Sequence, residues 1–496
     1  MGCRKCISEI YLQSMSDSGS MKNASSSEDL KLIAQLDSLF HPRSVAVVGV
    51  PRGMKIGKLF LLALQDQGFP GKIYPVHPDS QEIEGLKAYP SVSAIPGPVD
   101  LAIVLVPQRF TLSVIKECAT KGVRGAVLFS AGYKETGTVE GEALERELAR
   151  VALSSGMRLI GPNCMGLYAP RTGLSFFPQL STEPGPVGII SHSGSLTNIL
   201  GRMASQRGIR FSKAVSLGNE CDLTFADFLL YLGRDPETRL IGGYLEGIKD
   251  GPYFLDCLRK TSLEKPVILW RVGLTSEGRQ AAASHTGAQA GSREVWKGVA
   301  LQGGAVQVTG FEEWVDALMG FSSLSPYRGD RMAIISGPGG LAVSAAEACG
   351  RVGLKVAQLS SQTRSALTKF VPATGTSLRN PIDVGLTASF ETEIYIQAAR
   401  LAAADPGVDA VVIIGIGLTP GANQLYTESM IQANRDFQKP FLMVNIPGFD
   451  PNLAQSFCKA GIPFFETAER AMITYARVRG YQLWSQERST LRSLGV

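Results

Sequence analysis

The chain has four histidines in 496 residues, and His285 stands in "AAASHTGAQAGS" (281–292), among alanine, glycine and small hydroxyl residues. A histidine with so little bulk around it invites three chemistries. Metal ligation wants further His, Cys or carboxylate ligands close by, and this stretch holds none. A Ser-His-Asp hydrolase wants the nucleophile elbow GxSxG, and "SHSGS" (191–195) does not have it. A histidine that carries a phosphoryl group wants room, a flexible loop to present it, and anion donors around the transferred group. The small residues supply the first two. Composition by itself leaves this reading level with that of an incidental surface histidine.

Other stretches offer the complementary groups. In "IISHSGSLTNILGRMA" an apolar run ends at Ser191, and Ser193, Gly194 and Ser195 follow before a helical pattern begins. Free amides and the helix dipole make such a start an anion site. A lone serine N-cap would need only one of these residues, so Ser193, Gly194 and Ser195 are expected to form an anion site. His192, between two serines, can face a ligand or be aimed away, and both readings stay open. "LIGGYLEG" ends a run at Glu246, either a solvated turn residue or a carboxylate that holds one nitrogen of a histidine while the other reacts. The first apolar run enters "VVGVPRGMKIGK", where Gly49, Gly53 and Gly57 resemble a phosphate loop. The spacing is not GxGxxG, and Leu59 after the GK pair excludes Walker A. "LVPQR" (105–109), "FSAGY" (129–133) and "IGPNCMG" (160–166) also end apolar runs with small or polar residues, and should converge with that loop on a crevice suited to a nucleotide-like ligand.

The elements that must position these groups can be read from periodicity. From Leu30 onward, Val/Ile-rich runs such as "SVAVVGV", "PVGIISHSG" and "AVVIIGIG" alternate with amphipathic stretches such as "EGEALERELARVALSSG". Continuous apolar strands alternating with helices predict an α/β chain with parallel sheets covered on both faces. Ligands then sit at the carboxyl ends of the strands. Pro/Gly-rich joints divide the chain into three doubly wound domains, 30–180, 181–327 and 328–496, behind a disordered tail, 1–29. A net charge of +5 with mixed signs gives no support to nucleic-acid or membrane binding. No apolar run is long enough to span a bilayer, and the first 29 residues lack a signal-peptide core. "MGCRKC" places Cys6 where the myristoylation pattern wants Ser or Thr. Eight scattered cysteines without metal-ligand spacing are expected to be reduced thiols in a cytoplasmic protein, and no metal site is expected on this chain.

In order along the chain, "GKIYPVHP", "GLKAYPSV", "PVDLAIVLVP", "LIGPNCMGLY", "VSLGNECDL", "YLEGIKDG", "SHTGAQAGS", "NPIDV" and "GIPFFETAERA" resemble the nucleoside-diphosphate-forming acyl-CoA synthetases, the superfamily of succinyl-CoA synthetase and ADP-forming acetyl-CoA synthetase. The likeness runs from about Leu36 to Leu483. It implies a CoA-binding Rossmann-like domain followed by two flavodoxin-like CoA-ligase domains. It implies that His285 is the phosphorylated residue, that Glu246 holds its ring, and that Ser193, Gly194 and Ser195 form the phosphate-binding helix start. Coenzyme A would touch Gly49, Pro51, Arg52, Gly57, Lys58, Val76, His77, Val106, Pro107, Ser130, Ala131, Gly132 and Asn163. Two departures stand out: His192 replaces the family's usual glutamine, and His77 its usual asparagine. The family holds ADP in an ATP-grasp domain, and the three domains here leave no residues for one. The resemblance thus implies an α-type subunit of an acid–CoA ligase, with ATP/ADP and Mg2+ on an ATP-grasp β subunit, in a heteromer such as α2β2. A small or aromatic monocarboxylic acid fits better than succinate. The competing expectation is a CoA- or acyl-CoA-binding regulatory or acyl-transfer protein without nucleotide turnover.

Overall fold

A computed structural model of the chain describes residues 22–286, 291–324, 329–385, 392–415, 420–445 and 450–493. The first module contains β1 (Ser44–Val48), β2 (Lys72–Val76), a hairpin of β3 (Glu82–Ile83) and β4 (Leu86–Lys87), β5 (Leu101–Val104), β6 (Gly125–Leu128) and β7 (Arg158–Ile160). Its parallel sheet runs β2-β1-β5-β6-β7. Every residue of β1, β5 and β6 is buried. Helices cover both faces of these strands, so they read as unbroken apolar runs.

The second sheet contains β8 (Gly166–Tyr168), β9 (Val187–Ser191), β10 (Phe211–Ser216), β11 (Leu240–Leu245), β12 (Val267–Arg271) and β13 (Val306–Val308), in the order β13-β12-β11-β9-β10-β8. The third contains β14 (Arg331–Ser336), β15 (Lys355–Val356), β16 (Ile382–Asp383), β17 (Ala410–Gly415), β18 (Phe441–Asn445) and β19 (Phe464–Phe465), in the order β15-β14-β17-β18-β19, with β16 also paired to β14. Leaving out the hairpin, β8 and β16, all three sheets share one order. The second strand lies on one side of the first, and the third to fifth follow in succession on the other. Each sheet therefore reverses direction between its first and third strands, at β1/β5, β9/β11 and β14/β17. Such a point opens a crevice at the carboxyl edge.

Two features differ from the periodicity reading. Among the described residues the first helix spans Lys22–Phe40 and so begins inside the stretch expected to be a disordered tail. It packs on helix Phe225–Arg234, with Phe40 stacked on Tyr231 at 5.4 Å and Tyr231 Oη donating to Asp37. Strand β8, which precedes the expected joint at 180/181, pairs antiparallel with β10 and closes the edge of the second sheet.

The modules are tied by buried polar groups. Arg158 makes a bidentate pair with Asp222, whose Oδ2 also accepts from the Leu159 amide. Gly218, at φ +57°, crosses the Pro162–Asn163 backbone so closely that a Cβ would stand 2.1 Å from the Pro162 oxygen. Helix Ala468–Ser493 of the third module packs against both helix Phe311–Ser323 and helix Gly339–Arg351. There Arg470 binds Asp316 at 2.6 Å and Glu312 at 2.6 Å, and Arg207 reaches Glu466 at 3.0 Å.

Candidate functional site

The carboxyl edge of the second sheet carries most of the reactive groups. Strand β9 ends at Ser191, and helix Gly194–Gln206 begins three residues later. The buried Ser191 hydroxyl donates to the Ser193 carbonyl and accepts from the Ser193 amide, which shapes the loop. Ser193 is the N-cap and accepts from the Leu196 amide, and its hydroxyl lies 3.4 Å from that of Ser195. The Gly194 and Ser195 amides bond to no other described residue, as expected at the open end of a helix. A Cβ on Gly194 would stand 2.5 Å from Met165 Cγ, so glycine lets the last turn of the first module lie against this helix start. Ser193, Gly194 and Ser195 thus combine a cap with free, dipole-aligned donors, the arrangement that binds anions.

His192 is resolved by its partners. The ring is buried, its Nδ1 accepts from the Glu246 amide at 2.9 Å, and its Nε2 lies 3.2 Å from Glu220 Oε1. An acceptor at Nδ1 puts the proton of the neutral ring on Nε2, which then donates to Glu220. Phe225 packs edge-on to the ring at 5.9 Å. Glu220 Oε1 also accepts from the Phe225 amide at 2.6 Å, and the Glu220 carbonyl accepts from Lys249. Burial by itself would raise the Glu220 carboxyl; His192, Lys249 and the Phe225 amide outweigh it and hold the group below its ordinary value. His192 is aimed away from the helix start and clamps the backbone of Glu246.

Glu246 follows β11, across the β9/β11 reversal from Ser193, and is buried. Burial, then the charge and hydrogen bond of Glu246, push the Tyr244 hydroxyl well above its usual range. At the end of β12, burial depresses the Arg271 guanidinium while the Glu246 charge opposes the shift. By its backbone, His285 lies in the last turn of helix Ser276–Thr286 rather than in the open loop expected from composition. The side chain of His285, and residues 287–290 of the same motif, lie outside the described residues.

The first-module candidates share one edge. Gly49, at φ +87°, donates its amide to the Val76 carbonyl, and a Cβ there would meet Val106 Cγ1 at 2.7 Å. Ser130 donates to the Val106 carbonyl, and the Asn163 amide donates to the Ser130 carbonyl at 3.0 Å. These contacts draw Val106, Pro107, Ser130, Ala131, Gly132 and Asn163 into one rim. Pro51 lies against Gly57, where a Cβ would stand 3.3 Å from Pro51 Cδ. Arg52 donates to Ser80 Oγ and the Asp79 carbonyl, and His77 Nδ1 accepts from the Asp79 amide. Lys58 is buried, with its ammonium 2.7 Å from the Arg52 carbonyl and 2.6 Å from Glu84, so it braces the loop from within. Helices Ile56–Asp66 and Gln108–Lys121 both start at this edge without a side-chain cap, leaving their first amides to a ligand. The glycine at position 49 and these open donors suit a phosphate-bearing ligand such as CoA.

Several residues of the edge escaped the pattern reading. Glu220 adopts φ +57°, and its role depends on His192 arriving from another strand. Asn219 donates to Glu135 and Glu145 of the first module. The third sheet repeats the second: Ser336 ends β14, its hydroxyl donates to the Pro338 carbonyl, and helix Gly339–Arg351 starts without a side-chain cap. The signal was "SGPGG" (336–340), a glycine-rich turn after an apolar run.

Comparison with known proteins agrees with this geometry. Residues 43–170 match the family described as CoA binding domain, and residues 184–321 the succinyl-CoA ligase like flavodoxin domain. The chain is 37% identical over 455 residues to the acetate–CoA ligase [ADP-forming] II subunit alpha of Pyrococcus furiosus, covering 90% of this chain and 97% of that protein. It is also 37% identical over 406 residues to acetate–CoA ligase [ADP-forming] I of Archaeoglobus fulgidus, covering 80% of this chain and 57% of that longer protein. The solved structure of dinucleotide forming acetyl-coenzyme A synthetase 1 of Ca. Korarchaeum cryptofilum, in complex with phosphate and ADP, superposes with a TM-score of 0.80 at 34% identity, covering 91% of this chain and 98% of that one. These likenesses, over nine-tenths of the chain and nearly the whole of its α-subunit relative, place this chain in the family of ADP-forming acid–CoA ligases, as an acid–thiol ligase chain of the α-subunit type.

Proposed function

We propose that the chain works with an ATP-grasp β subunit to convert acyl-CoA, ADP and phosphate into a monocarboxylic acid, CoA and ATP, with His285 as the phosphoryl carrier. The observation that carries this reading is the juxtaposition at the β9/β11 reversal. The anion-binding helix start at Ser193, Gly194 and Ser195 and the buried carboxylate Glu246 sit on neighbouring strands of the module whose later helix bears His285. CoA would lie along the first-module rim from Gly49 to Asn163, with its phosphates at the uncapped helix starts.

A phosphate oxygen attacks the acyl carbon. The carbon–sulfur bond breaks, and the thiolate takes a proton to leave as CoA. A nitrogen of His285 then attacks phosphorus, the bond to the acyl oxygen breaks, and the acid leaves as its carboxylate. A terminal oxygen of ADP next takes the phosphoryl group and the P–N bond breaks, restoring the imidazole. The Ser193–Ser195 donors stabilise the charge on the transferred group. Glu246 orients the ring and favours the positive charge that develops on it. A phosphoramidate retains the transfer potential that hydrolysis would lose. In this reading ADP and Mg2+ bind the partner, and the protein works in the cytoplasm.

The test is labelling of His285. The full chain is incubated with acetyl-CoA, or with an aromatic acyl-CoA, and radiolabelled phosphate. Acid-labile label should appear on His285, disappear in His285→Ala, and fall at least about tenfold in Glu246→Gln. Labelling that survives His285→Ala would sink the carrier assignment.

A further inference from the structure

Farther along the same edge lies a cavity of about 590 Å³ that the reaction above does not use. It is walled by the ends of β12 and β13 and by the starts of helices Ser276–Thr286 and Arg293–Gly303. Among the described residues its lining includes three cations, Arg271, Arg293 and Lys297, and no carboxylate. Arg271 is only 9% exposed. Its Nη1 donates to the carbonyls of Leu245 and Val272, and no bond from Nε or Nη2 reaches another described residue. Arg293 and Lys297 are exposed, stand one turn apart on their helix, and form no ion pair with a described residue. A concave site with excess charge of one sign concentrates counter-ions, and guanidinium groups suit phosphate oxygens. The indoles of Trp270 and Trp296 add flat apolar wall.

The sheet order separates this cavity from the helix start at Ser193. Neighbouring strands lie about 4.8 Å apart, and β11 and β12 intervene between β9 and β13. The two positions are therefore roughly 12 Å apart across the strands, too far for one phosphate to occupy both. The β8/β10 side of the sheet faces the first module, so the cavity lies on the opposite side of Glu246 from the proposed CoA site. Thr275 and Gly278 line it just before the carrier segment, and Arg293 lines it just after. We infer that the cavity is a second anion station, which takes a phosphate-bearing ligand and ties together the two ends of the His285 segment.

Calorimetric titration of the full-length chain with inorganic phosphate, and separately with ADP, tests this without turnover. The variants are Arg293→Gln with Lys297→Gln, whose side chains are exposed and whose loss should leave folding intact, and Ser195→Ala for the other station. The wild type should bind phosphate at two sites. The double variant should weaken one at least tenfold and leave the site sensitive to Ser195→Ala unchanged. ADP binding that exceeds phosphate binding and falls in the double variant identifies a nucleotide as the source; equal affinity identifies free phosphate. Phosphate and ADP isotherms that the double variant leaves unchanged would overturn the proposal. Because no group is transferred, this result is independent of whether His285 becomes labelled.

Discussion

At the scale of single residues, the decisive fact is that His192 uses one ring nitrogen as acceptor and the other as donor. A glutamine side chain offers the same pair, carbonyl to the Glu246 amide and amide to Glu220. His192→Gln should therefore keep His285 labelling within about threefold. His192→Ala takes the acceptor from the buried Glu246 amide and leaves the buried Glu220 carboxylate with the Phe225 amide but without its ring partner, at a cost of about 1–3 kcal/mol. It should cut the labelling rate at least about tenfold while CoA binding holds. If alanine and glutamine behave alike, the clamp is not what the ring provides. Glu220 makes a pH prediction with a definite sign. Its carboxyl is held below the ordinary value in the folded chain, so its contribution is complete above about pH 4.3, the unfolded value, and is lost as pH falls through the folded value. Glu220→Gln should lower the urea midpoint at pH 7, and the gap from wild type should narrow as pH falls through and below about 4.3.

At the scale of elements, close backbone approaches decide where strands can end. The β10 turn passes over the Pro162–Asn163 turn at Gly218, which combines a left-handed φ with a Cβ position that falls on backbone rather than on a flexible side chain. Gly218→Ala should cost about 3 kcal/mol, seen as a lower urea midpoint, with weaker CoA binding because Asn163 belongs to the proposed CoA rim. A Cβ on Gly194 would meet side chains rather than backbone, Met165 Cγ at 2.5 Å and Ser216 Oγ at 3.2 Å, so Gly194→Ala should be milder in stability and act on phosphate binding. A Gly218→Ala protein as stable as the wild type would show that the two turns move apart freely.

At the scale of the whole molecule, the three modules are joined by ion pairs built on the buried carboxylates Asp222 and Asp316. Asp316 shows this: burial pushes its carboxyl up, and Arg470 and Arg207 pull against that rise. Arg470→Met removes one partner and leaves Asp316 poorly compensated. The cost should be about 3 kcal/mol, and the third module should melt separately from the first two in calorimetry. A single unshifted transition would show that the clasp does not hold the modules. Strand β8 makes a related prediction. A fragment starting at residue 181 leaves β10 as an open sheet edge, which invites association, whereas one starting at residue 165 carries β8 with it. Size-exclusion chromatography should find the shorter fragment the more associated.

Local pattern was enough to read the α/β class, the strand ends and the helix start after Ser193. Helices covering both faces of a parallel sheet leave continuous apolar runs, and a strand-to-helix turn keeps its glycines and serines adjacent in the chain. The same locality made Gly49, Val106, Ser130 and Asn163 legible as one edge, because each ends its own strand. The motif around His285 was legible by type and by likeness, although its backbone closes a helix where a loop was expected. What the chain order could not reveal was which distant groups meet. His192 stood undecided between two serines until sheet order brought Glu220 from the β10 turn and the Glu246 amide from β11. Lys58 looked open to a ligand until the β3–β4 hairpin supplied Glu84. Strand β8 lay in the first stretch and paired in the second sheet, and the three cations of the β12–β13 cavity come from two elements, β12 and the helix that starts at Arg293. Hydrogen bonds and charges act over a few ångströms of space, and only the packed sheets set those distances.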